Sequence, residues 1–181
     1  MTPIEYVQLK AFARQDGALL ALLWVATFLL YIIGVSNQLL GLAAFFLMCY
    51  TPFFVGERLA KFRDYGREGI ISFRRGYAYT VFVFFYGGVL FAIVQYLYFA
   101  FMDHGFLLSQ FSRMISSEEM QQALKHYGMT QMVDETMQEM ANTRPIDYAL
   151  NMLTINISLG CIMGLPLGLI MQRSVKRVKS E

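Results

Sequence analysis

The chain has 181 residues, of which 56% are hydrophobic and only 15% charged, with a formal net charge of +2. Charge is absent from three blocks, Gly17 to Gly56, Gly76 to Met102 and Tyr148 to Gln172, which are 40, 27 and 25 residues long. Uncharged runs of that length exclude a soluble domain, which interleaves charge with apolar periodicity, and the near-neutral balance gives no basis for a nucleic-acid partner.

A helix rising about 1.5 Å per residue crosses a hydrocarbon core of roughly 30 Å in about 20 residues, so the first block holds two passes and each of the others one. The expected fold is all-α, a polytopic membrane protein with transmembrane helices over about 17–35, 37–56, 76–102 and 147–172. The chain is read as one membrane domain, 1–181. The first pass carries Trp24 and Tyr31 and ends at Gly34-Val35-Ser36-Asn37-Gln38, where a glycine and three polar residues suit a turn. So short a connection makes the second pass its antiparallel neighbour. Cys49 and Cys161 both fall inside predicted spans, where a thiol acts as a small apolar packer.

The connection 57–75 is read as a basic cytoplasmic elbow, with Glu57 to Arg63 continuing the second helix and a turn at Gly66 or Gly69. Its Arg58, Lys61, Arg63, Arg67, Arg74 and Arg75, joined by Arg173, Lys176 and Arg177, form a basic face at headgroup level, with Ile70, Ile71 and Phe73 dipping inward. Counting Lys and Arg gives 12 on the side of the termini and elbow against 3 on the other. The imbalance predicts cytoplasmic termini.

The third pass is rich in Phe and Tyr, and Gly87-Gly88 at its middle opens room for another helix. Gln95 lies in its outer half. The outward insert, about 104–145 within 103–147, has 7 acidic residues, 3 basic residues and both histidines. It is expected to form a pair of short helices. Ser116 and Glu119 read as a capping box ahead of the first, which Gly128 ends, and the second starts after Thr130 and stops before Pro145. Four methionines, Met129, Met132, Met137 and Met140, with His104 and His126, have the chemistry of soft metal ligands, but on amphipathic helices they read as hydrophobic contacts.

In the fourth pass Asn156, Gly160, Gly164 and Gly168 recur every four residues and define a glycine ridge for helix packing, which Pro166 is read as interrupting. Asn151, Thr154 and Asn156, with Gln95, are the candidates for lining a polar cavity. No catalytic constellation, phosphate loop or zinc-ligand spacing is recognisable. The expectation is accordingly no enzyme activity, cofactor or metal.

The run Ile71-Ser72-Phe73-Arg74-Arg75-Gly76-Tyr77, continued through the aromatic third pass to Asp103, resembles the signature region of a family known only as a domain of unknown function. Its members are small four-helix inner-membrane proteins of Gram-negative bacteria of the Bacteroides group. The Lys61-Phe62-Arg63-Asp64 elbow, the helical insert and the glycine-rich last pass resemble the same plan. The resemblance implies an inner-membrane location and, because members are encoded beside glycosyltransferases, a glycosyltransferase as membrane partner. Two functions follow as expectations. The first is a non-enzymatic accessory or scaffold protein acting through helix association, with itself or another protein, and through its insert. The alternative is a small transporter or channel between the third and fourth helices.

Overall fold

The computed structural model describes residues 2–173, so Lys176 and Arg177 of the expected basic face lie outside the described residues. Among the described residues seven helices follow in chain order: α1 Pro3–Gly34, α2 Gln38–Gly66, α3 Phe73–Phe101, α4 Phe106–Ile115, α5 Glu118–His126, α6 Thr130–Asn142 and α7 Pro145–Met171. Four of them, α1, α2, α3 and α7, are long and apolar enough to cross a membrane. Among the described residues the only β pairing is one antiparallel bridge, Ile71 with Arg173.

The chain divides into two compact units, residues 1–92 with 151–181, and residues 93–150. In the first unit α1 begins well before its uncharged block because Thr2 and Glu5 cap it reciprocally and Pro3 supplies a pre-set first turn. The turn after Gly34 is closed by Asn37, whose side-chain oxygen accepts from the amides of Leu39 (3.1 Å) and Leu40 (3.4 Å). The hairpin closes tightly there, since a Cβ on Gly34 would stand 2.5 Å from the backbone nitrogen of Gly41. Helix α2 runs through Pro52 and on to Gly66, so the first half of the elbow continues the helix. The turn that follows uses left-handed backbone at Glu68 and Gly69, with φ of 52° and 80°. The chain then bridges to the end of α7, Ile71 N to Arg173 O at 3.2 Å and Arg173 N to Ile71 O at 3.0 Å.

The core of this unit is aromatic and aliphatic. Trp24 meets Phe84 edge-on at 5.6 Å, Phe62 stacks on Tyr79 at 4.8 Å, and Leu9, Leu20, Val55, Leu59 and Val83 fill the space between. Trp24 also donates its indole N–H to Thr51 Oγ1 at 3.2 Å, which satisfies a polar group that lipid would leave bare. Helices in a bilayer gain little from excluding lipid, so their association rests on close packing of such surfaces.

The second unit holds the end of α3, the start of α7 and three short helices where the sequence suggested two. The additional one, α4, starts because Asp103 accepts from the amides of Gly105 (3.0 Å) and Leu107 (3.2 Å). Its register also differs from expectation at α5. Ser117 is the cap, accepting from the Met120 amide at 3.4 Å, whereas Ser116 turns its hydroxyl back to the Ser112 carbonyl at 2.7 Å. Both hydroxyls donate back to α4, Ser117 to the Met114 carbonyl at 2.9 Å, and what selects Ser117 is its extended backbone (ψ 144°), the conformation a cap needs, where Ser116 is still helical (ψ −4°). Tyr148 donates to the Met140 carbonyl at 2.6 Å and stacks on Phe99 at 4.8 Å, fixing the return into α7.

Candidate functional site

Ionisable chemistry in the first unit gathers at the end of its helices that carries the elbow. Asp16 is the last charged residue before the 17–56 block, and Arg58 is the first basic residue after it. Because α1 and α2 are antiparallel, these two boundaries meet. Arg58 Nε donates to Asp16 Oδ1 at 2.5 Å and its terminal nitrogen reaches the same oxygen, while the Tyr79 hydroxyl donates to Oδ2. Asp16 is 3% exposed and Tyr79 fully buried. A buried carboxylate is tolerated only when paired and hydrogen-bonded, and here both oxygens are engaged. The cluster ties α1, α2 and α3 together as a strut.

A second cluster lies at the elbow. Glu5 accepts from Arg67 at 3.0 Å through one oxygen and from Arg75 at 2.5 Å through the other. Gln8 donates to the Gly66 carbonyl at 3.1 Å, closing the end of α2 against α1. Arg63 is buried, grips Asp64 through two bonds of 2.7 and 3.0 Å, and reaches the Met171 carbonyl at 3.4 Å. A cation at the last turn of α7 meets the negative end of that helix's dipole.

The expected basic face therefore separates into groups with different environments. Arg58 turns inward to buried Asp16, Arg63 is buried but pairs with the exposed Asp64, Arg67 and Arg75 share Glu5, and Lys61, Arg74 and Arg173 remain exposed.

The glycines of α7 face α3. A Cβ on Gly160 would stand 2.5 Å from Phe84 Cβ, one on Gly164 2.9 Å from Tyr77 Cδ2, and one on Gly168 3.1 Å from Phe73 Cδ2. Gly88 approaches Asn156, with 3.3 Å from its would-be Cβ to Asn156 Cβ, and Gly87 approaches α1, 3.0 Å from the Gly17 carbonyl. Pro166 does not interrupt this series. It is exposed, two residues and about 200° round the helix from buried Gly164.

The four candidate cavity residues fall on different surfaces. Asn156 and Gln95 are buried, at 3% and 4% exposure, whereas Asn151 and Thr154 are exposed, with Ser158 on the same side of α7. Asn156 Nδ2 and Gln95 Oε1 each lack a hydrogen-bond partner among the described residues. Among those residues, no three His, Cys, Asp or Glu side chains gather into a metal-binding group.

Sequence reasoning missed Asp16, Glu5 and Tyr79. The signal was present for the first: an acid at one edge of a two-pass uncharged block and an arginine at the other edge are brought level by the hairpin. Glu5 gave no such sign, because its partners are some 60 to 70 residues away across the elbow.

A family model for proteins of unknown function (DUF4199) matches residues 15–173. The chain belongs to this family. The DUF4199 match takes in all three uncharged blocks, the elbow and the insert, and begins one residue before Asp16. No curated protein and no solved structure matches the chain. Membership in DUF4199 and the four apolar helices together make this an integral, multi-pass membrane protein of unknown function.

Proposed function

We propose that this DUF4199 protein is a non-enzymatic accessory or scaffold protein of the bacterial inner membrane, with both termini cytoplasmic, that acts by associating with another membrane protein. The observation that carries this reading is the division of α7 into two faces. Its glycine face is used inside the chain, against Tyr77, Phe84 and Gly88. On another face Asn151, Thr154 and Ser158 follow at helical spacing and are exposed, between Leu150 and Ile155, also exposed. Polar side chains on a membrane helix favour a protein neighbour over lipid. A glycosyltransferase of the envelope is the partner class that the family resemblance implies.

Crosslinking in native membranes followed by mass spectrometry tests the reading. A partner crosslinked through the outer half of α7 or through the 103–147 insert supports it, and recovery of the free monomer alone contradicts it.

The transport alternative has one specific support, the buried and unpartnered Asn156 Nδ2. Vesicles reconstituted with the protein that show a flux lost on Asn156→Leu would favour it, and absence of flux of ions, sugars or lipids would end it.

A further inference from the structure

The Glu5 cluster brings two guanidinium groups from opposite arms of the elbow onto one carboxylate. Two positive charges against one negative leave the trio with a net positive charge, and Arg74, beside Arg75, is exposed to solvent. Each guanidinium carries five N–H donors, and Glu5 takes one terminal nitrogen of each. Arg67 Nε is buried with no hydrogen-bond partner among the described residues. Both arginine side chains keep about a fifth of their surface, at 20% and 23%. The pair is thus positioned by Glu5, itself held by Thr2 in the α1 cap, without being neutralised by it.

The surroundings say which anion fits. Arg75 is the last charge before the uncharged 76–102 block, so the pair stands at the edge of the apolar part of α3. Exposed apolar residues stand next to these charges in sequence, Ile4 beside Glu5 at 82% exposure and Ile70 between Arg67 and Arg75 at 42%. Large apolar side chains left bare on the segments that carry these cations are costly in water. At the level of lipid headgroups they enter the acyl boundary while the arginines meet phosphate. Arginine's planar fork bonds two phosphate oxygens at once, which a lysine does not.

We propose that Arg67 and Arg75, held by Glu5, form a binding site for the phosphate of an anionic phospholipid. The association reading above does not depend on it.

Native mass spectrometry of the full chain in detergent, offered equal amounts of phosphatidylglycerol and phosphatidylcholine, tests the proposal. Wild type retains phosphatidylglycerol preferentially. Arg67→Lys/Arg75→Lys keeps the charge but loses the bidentate bonds, and the amount of phosphatidylglycerol retained falls about tenfold, the equivalent of one charge-assisted hydrogen bond. Should the double variant not fold, Arg75→Lys alone must lower that retention in the same direction. Lys125→Gln, which removes a charge from α5, leaves it unchanged. Absence of a preference in wild type, or undiminished phosphatidylglycerol retention in the lysine variants, overturns the proposal. Inorganic phosphate at millimolar concentration is the competing arm: if it binds as well as the lipid and erases the preference, the site is one for a soluble phosphate and the lipid assignment fails.

Discussion

Removing the carboxylate of Asp16 is the sharpest perturbation of the bundle. Asp16→Ala leaves the Arg58 guanidinium beside a hole and the Tyr79 hydroxyl, in a fully buried ring, without its acceptor. Breaking a buried ion pair costs about 3–5 kcal/mol, and the Arg58 side chain, 21% exposed, relaxes partly toward water, which selects about 3 kcal/mol. The orphaned tyrosine adds about 1 kcal/mol, for a loss of about 4 kcal/mol. Asp16→Asn keeps one oxygen for Tyr79 and is expected to lose about 2 kcal/mol. Replacing all partners, in Asp16→Leu/Arg58→Met/Tyr79→Phe, removes every unpaired group and returns most of the stability, because an apolar set of similar volume substitutes well for a buried ion pair. Titration of the purified chain from mild detergent into SDS, followed by circular dichroism, reads these differences. An Asp16→Ala variant within about 0.5 kcal/mol of wild type would refute the strut, since no buried pair in low dielectric costs so little to break.

The remaining expectations concern packing and caps. Gly160→Ala drives a methyl to 2.5 Å from Phe84 Cβ and should cost about 1–3 kcal/mol in the same titration, whereas Gly56→Ala meets only side-chain ends at 3.4 and 3.6 Å and should cost less than about 0.5 kcal/mol. Asn156→Leu removes a buried, unpartnered amide nitrogen and should leave stability unchanged or raised; a loss above about 2 kcal/mol would mean that the amide has a partner. Ser117→Ala should destabilise α5 by about 1 kcal/mol, read as faster hydrogen exchange at its amides, while Ser116→Ala changes that exchange little.

The four membrane helices were legible because absence of charge is a long, redundant signal that local detail does not disturb, whereas the start of α1 at Pro3, some fourteen residues before the expected bound, was not, because the signal ends where charge begins and the helix does not. Membership in a family of unknown function was legible too, from the resemblance of the Ile71 to Tyr77 run and the plan around it. The cap of α5 was misplaced by one residue because Ser116 and Ser117 offer the same chemistry, and only where the backbone leaves the helical conformation, at Ser117, decides between them. Helix α4 was missed because its start depends on Asp103, which the sequence presents merely as a residue at a helix end. Pro166 was assigned to the glycine ridge from its place between Gly164 and Gly168, although an offset of two sends a residue to the far side of a helix. The same period divides Asn151 and Thr154 from Asn156, which shared depth alone had grouped. The ion clusters were the least legible part, since a pair such as Glu5 and Arg75 is made by the fold and leaves no spacing in the chain.

Association through the exposed polar face of α7 is tested most directly by single cysteines in a Cys49→Ala/Cys161→Ala background, crosslinked in native membranes. Asn151→Cys, Thr154→Cys and Ser158→Cys are predicted to give a higher-mass species, and Asn156→Cys, on the face packed against α3, is predicted to give none. Monomer at all four positions, or equal crosslinking at all four, would contradict association through that face.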